Sequence, residues 1–357
     1  MGYKILAINP GSTSTKISIF EDEKEIFSHT LRHSAEEISQ YEKITDQYEF
    51  RKEAIVSALN ESGLNLSELS AIVGRGGLLK PIESGVYEVN EQMMQDLREM
   101  KYGEHASNLG ALIANNLAKE IKGCKAYIAD PVVVDELTPV ARISGHPLLP
   151  KVSIFHALNQ KAIAKMYAVS VGKKYEDLNL IVAHLGGGVS IGAHTGGRVV
   201  DVNNALNGEG PFSPERSGTL PTQALAELCF SGKYTLAQVK KMIAGEGGLI
   251  AHLGTNSFNY VEKMVDEGDE KYTLISDAFG YNVAKSIGAA AAVLSGKVDA
   301  ILLTGGVAYN TKLMVKIEEM VKFIAPVKVY PGEDEMSALA MNGLAVLTGR
   351  EKPSVYS

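Results

Sequence analysis

The sequence predicts an α/β protein made of two similar halves. Three observations carry that expectation. Gly11 and Gly186 lie 175 residues apart (186 − 11) in a chain of 357, and each sits in the turn of a strand–glycine–strand hairpin. Behind each hairpin, short β-type runs alternate with amphipathic helical stretches, the pattern of a sheet covered by helices. The length corresponds to about two domains of roughly 150 residues.

Taken in order, residues 3–9 form a β-type run that breaks at Pro10-Gly11, and Lys16–Phe20 alternates after it. Ser34-Ala-Glu-Glu37 is a capping box opening a polar helical region. Phe50, Ala54, Ile55, Ala58 and Leu59 share one helical face, and Gly63 stops that helix. Leu69–Val73 is a short strand running into Gly74-Arg75-Gly76-Gly77. Residues 105–121 form an amphipathic helix through Leu109, Leu112, Ile113, Leu117 and Ile121. A strand over Ala126–Ala129 ends at Asp130-Pro131. The second half repeats the scheme: a helix near 157–170, a strand at Asn179–Ala183, then the glycine turn and strand of His184–His194. A polar loop covers Asp201–Ser217, and helices fit 222–230, 235–244 and 270–294. Val298–Thr304 is an apolar strand leading to Gly305-Gly306 and a helix over 311–323; a strand at Val327–Tyr330 and a helix near 335–347 close the chain.

Composition excludes several classes. The net charge of −7, from 35 basic and 42 acidic residues, argues against a nucleic-acid partner. No stretch approaches the roughly 18–20 apolar residues of a membrane span. The start reads as a strand rather than a signal peptide, and Leu6 stands where myristoylation would need Ser or Thr, so a cytoplasmic protein is expected. Cys124 and Cys229 form no metal or disulfide pattern and read as buried small hydrophobes. The 35 glycines exceed the usual share of roughly 7%.

The glycines cluster in three loops with the character of phosphate or nucleotide contacts. Asn9-Pro-Gly-Ser-Thr-Ser-Thr-Lys16 offers a turn where backbone N–H groups can form an anion-binding concavity. His184-Leu-Gly-Gly-Gly188 is the second. In Leu303-Thr-Gly-Gly-Val-Ala-Tyr-Asn310 a strand feeds a turn and a helix N-terminus, which favours anions. Neither a P-loop nor a Gly-x-Gly-x-x-Gly motif is present, and such a loop alone is more often just a hairpin. Together, in duplicated order, they point to phosphate handling, with a ligand expected between the halves. Arg216 in a turn-rich loop, His156 at a helix start, Asp130 at a strand end and Glu335 at a helix start each have an ordinary structural alternative.

These stretches resemble the acetate kinase family. Asn9–Lys16 is similar to its Asn-Ala-Gly-Ser-Ser-Ser-x-Lys signature, His184–Ile191 to its His-Leu-Gly-Asn-Gly-x-Ser, and Thr304–Asn310 to its adenosine loop. Phe155-His156 and Arg216-Ser-Gly218 match two further motifs in the same order. Asn9-Pro-Gly-Ser-Thr-Ser-Thr, Gly74-Arg-Gly-Gly-Leu-Leu, Asp130-Pro-Val-Val-Val-Asp-Glu and Ile154-Phe-His-Ala-Leu-Asn-Gln resemble its butyrate kinase branch most. The resemblance implies two duplicated ribonuclease-H-like domains of the actin-like ATPase type with a cleft between them. It places domain I at 1–134 plus 337–357 and domain II at 135–336. It implies reversible transfer of a phosphoryl group from ATP, with ADP as product, to a short fatty acid, with Mg²⁺ and a homo-oligomeric state.

A carboxylate is already ionised at neutral pH and needs no general base. The difficulty is bringing an anion to a polyanion in line. On the resemblance, Arg216 clamps the transferring group, and His156 and His184 donate to its oxygens. Asp130 and Glu335 hold Mg²⁺. Asn9, Ser12, Ser14, Gly186 and Gly187 line the phosphates, and Gly305, Gly306 and Asn310 the adenosine. Where the family carries His-Arg-Val-Val-His-Gly-Gly, this chain has Ser70-Ala-Ile-Val-Gly-Arg-Gly76, so Arg75 is expected to take the fatty-acid carboxylate. Gly74 is expected to open room for a longer acyl chain. The family's nucleotide-side Asp-Phe-Arg is replaced by Thr255-Asn-Ser-Phe-Asn259, which leaves ATP against GTP open. A branched-chain acid kinase is the near alternative. An assembly protein or chaperone of the actin or heat-shock type is the distant one, and a nucleotide sensor would leave Asp130 and Glu335 without purpose.

Overall fold

The computed structural model describes residues 2–357. The chain folds into two compact units, Met1–Val134 with Asp334–Ser357, and Asp135–Glu333. The chain returns to unit 1 three residues earlier than expected, so Glu335 belongs to unit 1.

Unit 1 opens with β1 (Lys4–Pro10), β2 (Ser14–Glu21) and β3 (Lys24–Arg32), followed by β4 (Leu69–Arg75), β5 (Val86–Glu88) and β6 (Lys125–Ala129). Unit 2 opens with β7 (Leu180–Leu185), β8 (Val189–Thr195) and β9 (Arg198–Val202), followed by β10 (Ala300–Gly305) and β11 (Val327–Pro331). The final strand, β12 (Ser354–Val355), returns to unit 1. The sheet orders are β12-β5-β6-β4-β1-β2-β3 and β11-β10-β7-β8-β9. In each unit the first three strands form an antiparallel meander, and two later strands add in parallel on the side of the first. The duplication expected from the two hairpins is therefore a duplication of sheet topology.

The central strands are buried on both faces. Ile5, Leu6, Ala7 and Ile8 in β1, and Ile181, Val182 and Ala183 in β7, are fully enclosed, as parallel-type sheets covered by helices require. Helices Asn108–Lys119 and Glu335–Leu347 pack on the unit 1 sheet; helices Ala157–Ser170 and Glu270–Val293 pack on that of unit 2. No described helix is long and apolar enough to cross a membrane.

Two expectations are corrected. Cys229 is exposed and Cys124 only partly covered, because Cys229 ends a helix, Thr222–Cys229, with no buried residue. Gly74 opens no room: a Cβ there would lie 2.3 Å from Gly110 O. In return, a Cβ on Gly110 would lie 2.3 Å from Arg75 O. The two glycines let helix Asn108–Lys119 and β4 touch backbone to backbone, leaving no space for an acyl chain.

Candidate active site

In unit 1 the candidate residues sit at strand ends, where α/β sheets hold ligands. Asn9 stands one residue before the end of β1 and Arg75 ends β4. Both reach Glu335, the first residue of helix Glu335–Leu347. Asn9 Nδ2 donates to Glu335 Oε2 at 2.5 Å, and Arg75 Nη1 donates to the same oxygen at 3.1 Å and to Asn9 Oδ1 at 3.3 Å. Asp130 follows β6 with φ at +39°, an unusual conformation for a non-glycine residue. It is buried, and its Oδ1 accepts from Ser84 Oγ at 2.6 Å and Gly85 N at 2.9 Å. Ser12 is exposed and Ser14 half-buried in the β1–β2 turn, which Gly11 N closes on Ser14 O at 2.7 Å.

In unit 2 the glycine turn between β7 and β8 gathers the other group. His184 is buried, and its ring stacks on His156 with centroids 3.8 Å apart and planes 11° from parallel. His184 Nδ1 faces Asn159 Oδ1 at 2.8 Å, and Nε2 faces Glu333 Oε1 at 3.1 Å; both partners are acceptors. Arg216 Nη1 donates to Ala205 O at 2.6 Å, and a Cβ on Gly188 would fall 2.0 Å from that nitrogen. The guanidinium thus lies against the glycine turn. Ser213 Oγ ties the Arg216 loop to the same turn by donating to Gly187 O at 2.6 Å. Burial lowers the Arg216 pKa, with Glu215 opposing, yet a guanidinium stays cationic at neutral pH.

A buried polar chain sets the His156 tautomer. Gln160 Nε2 donates to Ser190 Oγ at 2.8 Å and Ser190 O at 3.0 Å, and the His156 amide also points at Ser190 Oγ, at 3.4 Å. The hydroxyl proton is left for His156 Nδ1, 2.9 Å away, so the ring carries its proton on Nε2 as a donor. Gln160 is itself oriented by His194, whose Nε2 lies 3.0 Å from Gln160 Oε1 and whose Nδ1 lies 2.7 Å from Tyr175 Oη. Complete burial, with the charge of Lys161, holds His194 well below the usual histidine pKa, so it is neutral.

The family model of the acetokinases matches residues 153–332, which contain His156, the glycine turn, Arg216 and the Gly305–Asn310 loop. The chain belongs to the acetokinase family. Among curated relatives it is 60% identical over 354 residues to butyrate kinase 1 of Clostridium acetobutylicum, covering 99% of each chain. It is 58% identical to butyrate kinase 2 of that organism, covering 100% of each. The structure superposes on acetate kinase of Porphyromonas gingivalis with a TM-score of 0.80 at 19% identity, over 97% of this chain and 100% of that one. Against a propionate kinase of Francisella tularensis subsp. tularensis the TM-score is 0.75 at 17% identity, over 95% and 98%. The expected fold class, an α/β chain of two related sheet units, is that of these solved structures.

Within this acetokinase chain the third loop divides by role. Gly305 has φ at +93°, a Cβ there would meet Leu185 O at 2.3 Å, and its N–H and C=O both pair with Gly332. Its glycine is a packing requirement. Gly306 is open on its Cβ side, and Asn310 Oδ1 caps helix Thr311–Val321 by accepting from Leu313 N at 2.9 Å. In the second loop, the Gly186 amide turns inward to Gly188 O at 3.0 Å, and Gly187 has nothing within 4 Å of a Cβ.

Asp130 and Glu335 are both in unit 1, each with one carboxylate oxygen engaged by protein donors and the other outside those bonds. Among the described residues no group of three His, Cys, Asp or Glu could hold a metal. That donor set fits Mg²⁺, which takes one or two carboxylates and completes its shell with water and substrate phosphates. Sequence reasoning missed Glu333, Asn159 and Gln160. In Glu333-Asp-Glu335 the three acids diverge: Glu333 turns to His184, Asp334 caps the following helix through Ser337 N at 3.1 Å, and Glu335 turns to Arg75. A hollow of about 180 Å³ lined by Lys151, Asp201 and Asn203 contains none of these residues.

Proposed function

We propose that this chain catalyses the reversible, ATP-dependent phosphorylation of butyrate to butyryl phosphate. The observation that carries the reading is the identity of 60% over 99% of both chains with a relative named butyrate kinase. The chemistry of the residues agrees with it. A butyrate carboxylate oxygen attacks the γ-phosphorus in line, the bond to the ADP oxygen breaks, and ADP leaves with its electrons. Arg75 binds the carboxylate, exchanging Glu335 for the substrate's oxygens. The unit 2 group addresses the phosphoryl charge: Arg216 by charge, His156 through its Nε2 proton, and His184, oriented by Asn159, by exchanging Glu333 for a phosphoryl oxygen at Nε2. Asn9, Ser12, Ser14 and the Gly186–Gly187 turn face phosphates; Gly305, Gly306 and Asn310 shape the adenosine side. Mg²⁺, when bound by Asp130 and Glu335, neutralises charge on the nucleotide phosphates.

The test is trapping of the acyl phosphate by hydroxylamine with ATP and Mg²⁺, across acetate, propionate, butyrate, isobutyrate, valerate and no acid. Butyrate is expected to give the most hydroxamate. A maximum at isobutyrate would move the assignment to branched acids, and ATP turnover without hydroxamate from any acid would overturn it.

A further inference from the structure

Arg51 lies in the helix Tyr48–Glu61, a polar stretch whose apolar face gives no hint of a buried cation. It is nevertheless 1% exposed. Among the described residues it forms no ion pair; its fork is filled by the hairpin between β1 and β2. Nη1 donates to Gly11 O at 2.7 Å, Ser14 O at 3.2 Å and Thr15 Oγ1 at 3.2 Å, and Nη2 donates to Ser12 O at 3.0 Å. Gln47 Oε1 holds the other side, accepting from Nε at 3.0 Å and Nη2 at 2.8 Å. The remaining carbonyl of the turn, Thr13 O, accepts from His33 N at 2.9 Å. All four carbonyls from Gly11 to Ser14 are therefore engaged, three of them by Arg51.

We propose that Arg51 is the positioning residue of the phosphate-facing hairpin: it pins the turn's carbonyls inward so that the amides and hydroxyls of Ser12 and Thr13 face a phosphoryl group. Peptide planes are rigid, so a carbonyl turned in leaves the next amide turned out. Ser12 and Thr13 are the exposed residues of the turn, as an anion-binding concavity requires. The cation buried behind the turn adds positive potential on the same side, and a guanidinium suits the place because its planar fork serves several carbonyls at once. Burial lowers the Arg51 pKa, and the charge of Arg51 adds to burial in lowering that of His33. The turn is thus backed by one fixed charge, with the neighbouring imidazole biased to neutrality. This inference rests on the assignment of the hairpin to the phosphate side.

The experiment compares wild type, Arg51→Lys and Gln47→Leu in both reaction directions, with thermal midpoints measured alongside. Arg51→Lys keeps the charge and loses the fork; Gln47→Leu removes the acceptor that orients it. In the reverse direction the KM for butyryl phosphate should rise at least fivefold in Arg51→Lys and at least twofold in Gln47→Leu. The KM for butyrate, whose carboxylate is assigned to Arg75, should change less than twofold in both. A purely structural role would move both constants together with the thermal midpoint. Equal changes in the two constants, or unchanged constants in a folded variant, would overturn the inference. Absence of butyryl phosphate chemistry in the wild type would instead overturn the reading on which it rests.

Discussion

Replacing Gly74 by alanine should destabilise the protein without changing which acid it prefers. Gly74 precedes Arg75 in β4, and its missing Cβ is matched by backbone: Gly110 O at 2.3 Å, Gly110 C at 2.5 Å and Ala111 N at 3.0 Å. Non-bonded carbon needs about 3.5 Å, so the helix must withdraw by about 1 Å along a contact with no flexible side chain to absorb the change. Overpacking of this kind costs about 1–3 kcal/mol, and backbone on both sides places Gly74 near the upper end. For a domain of roughly 150–250 residues each kcal/mol lowers Tm by about 2–4 °C, which gives a fall of about 5–10 °C. Circular dichroism melts would measure it, with Gly288→Ala as control. That glycine lies inside helix Glu270–Val293 with nothing within 4 Å of a Cβ, and its replacement should stabilise by roughly 0.5–1 kcal/mol. Retreat of the helix also shifts Arg75, so kcat/KM should fall for all acids together, with the acetate-to-butyrate ratio unchanged within about twofold. A Tm within 1 °C of wild type together with a switch towards acetate would refute the reasoning and restore Gly74 as a determinant of acyl length.

Three further outcomes follow from the site. If Arg75 binds the acceptor as proposed, Arg75→Ala removes a charge-assisted bond worth about 1.5–3 kcal/mol; the KM for butyrate should rise at least tenfold in steady-state kinetics, and an unchanged KM would remove Arg75 from the carboxylate. On the proposed role of His156, His156→Ala deletes one oriented donor to developing charge, so kcat should drop by about 10²–10³ with little change in Tm; a loss below threefold contradicts the assignment. Burial lowers the pKa of both His33 and His194 from the ordinary 6.5, with the charges of Arg51 and Lys161 adding to it. Below about pH 6.5 the unfolded imidazoles take up protons that the folded ones refuse. Stability is therefore complete above that pH and falls as pH drops, by up to about 1.4 kcal/mol per pH unit for each histidine. Urea midpoints at pH 7.5, 6.5 and 5.5 should decline in wild type and decline less in His194→Gln; a flat profile would show that these rings are not buried neutral.

Much of this arrangement can be read from the chain itself, because glycine turns and strand ends leave local marks. The Gly11 and Gly186 hairpins, the strand before Arg75 and the helix Asn108–Lys119 all follow from periodicity and punctuation. The third strand of each meander does not. β3 is largely exposed on both faces, so Lys24–Arg32 shows no alternation, and its place depends on pairing with β2. Arg51 escapes for a similar reason: an arginine in a polar helix reads as surface, and its burial is decided by carbonyls 37–40 residues earlier in the chain. Composition also cannot tell a glycine that leaves space from one that lets two backbones touch. Gly74 and Gly306 look alike in sequence, yet the first is closed by Gly110 and the second is open. Glu333 and Glu335 stand two positions apart in one acidic run, yet the first turns to His184 and the second to Arg75.

The central claim is direct phosphoryl transfer from ATP to a butyrate carboxylate, and phosphorus-31 NMR of the protein with ATP, Mg²⁺ and butyrate tests it most directly. The account predicts an acyl phosphate resonance growing in step with ADP, one for one, and absent when butyrate is omitted. ADP and inorganic phosphate appearing at the same rate with or without butyrate, and no acyl phosphate, would contradict it.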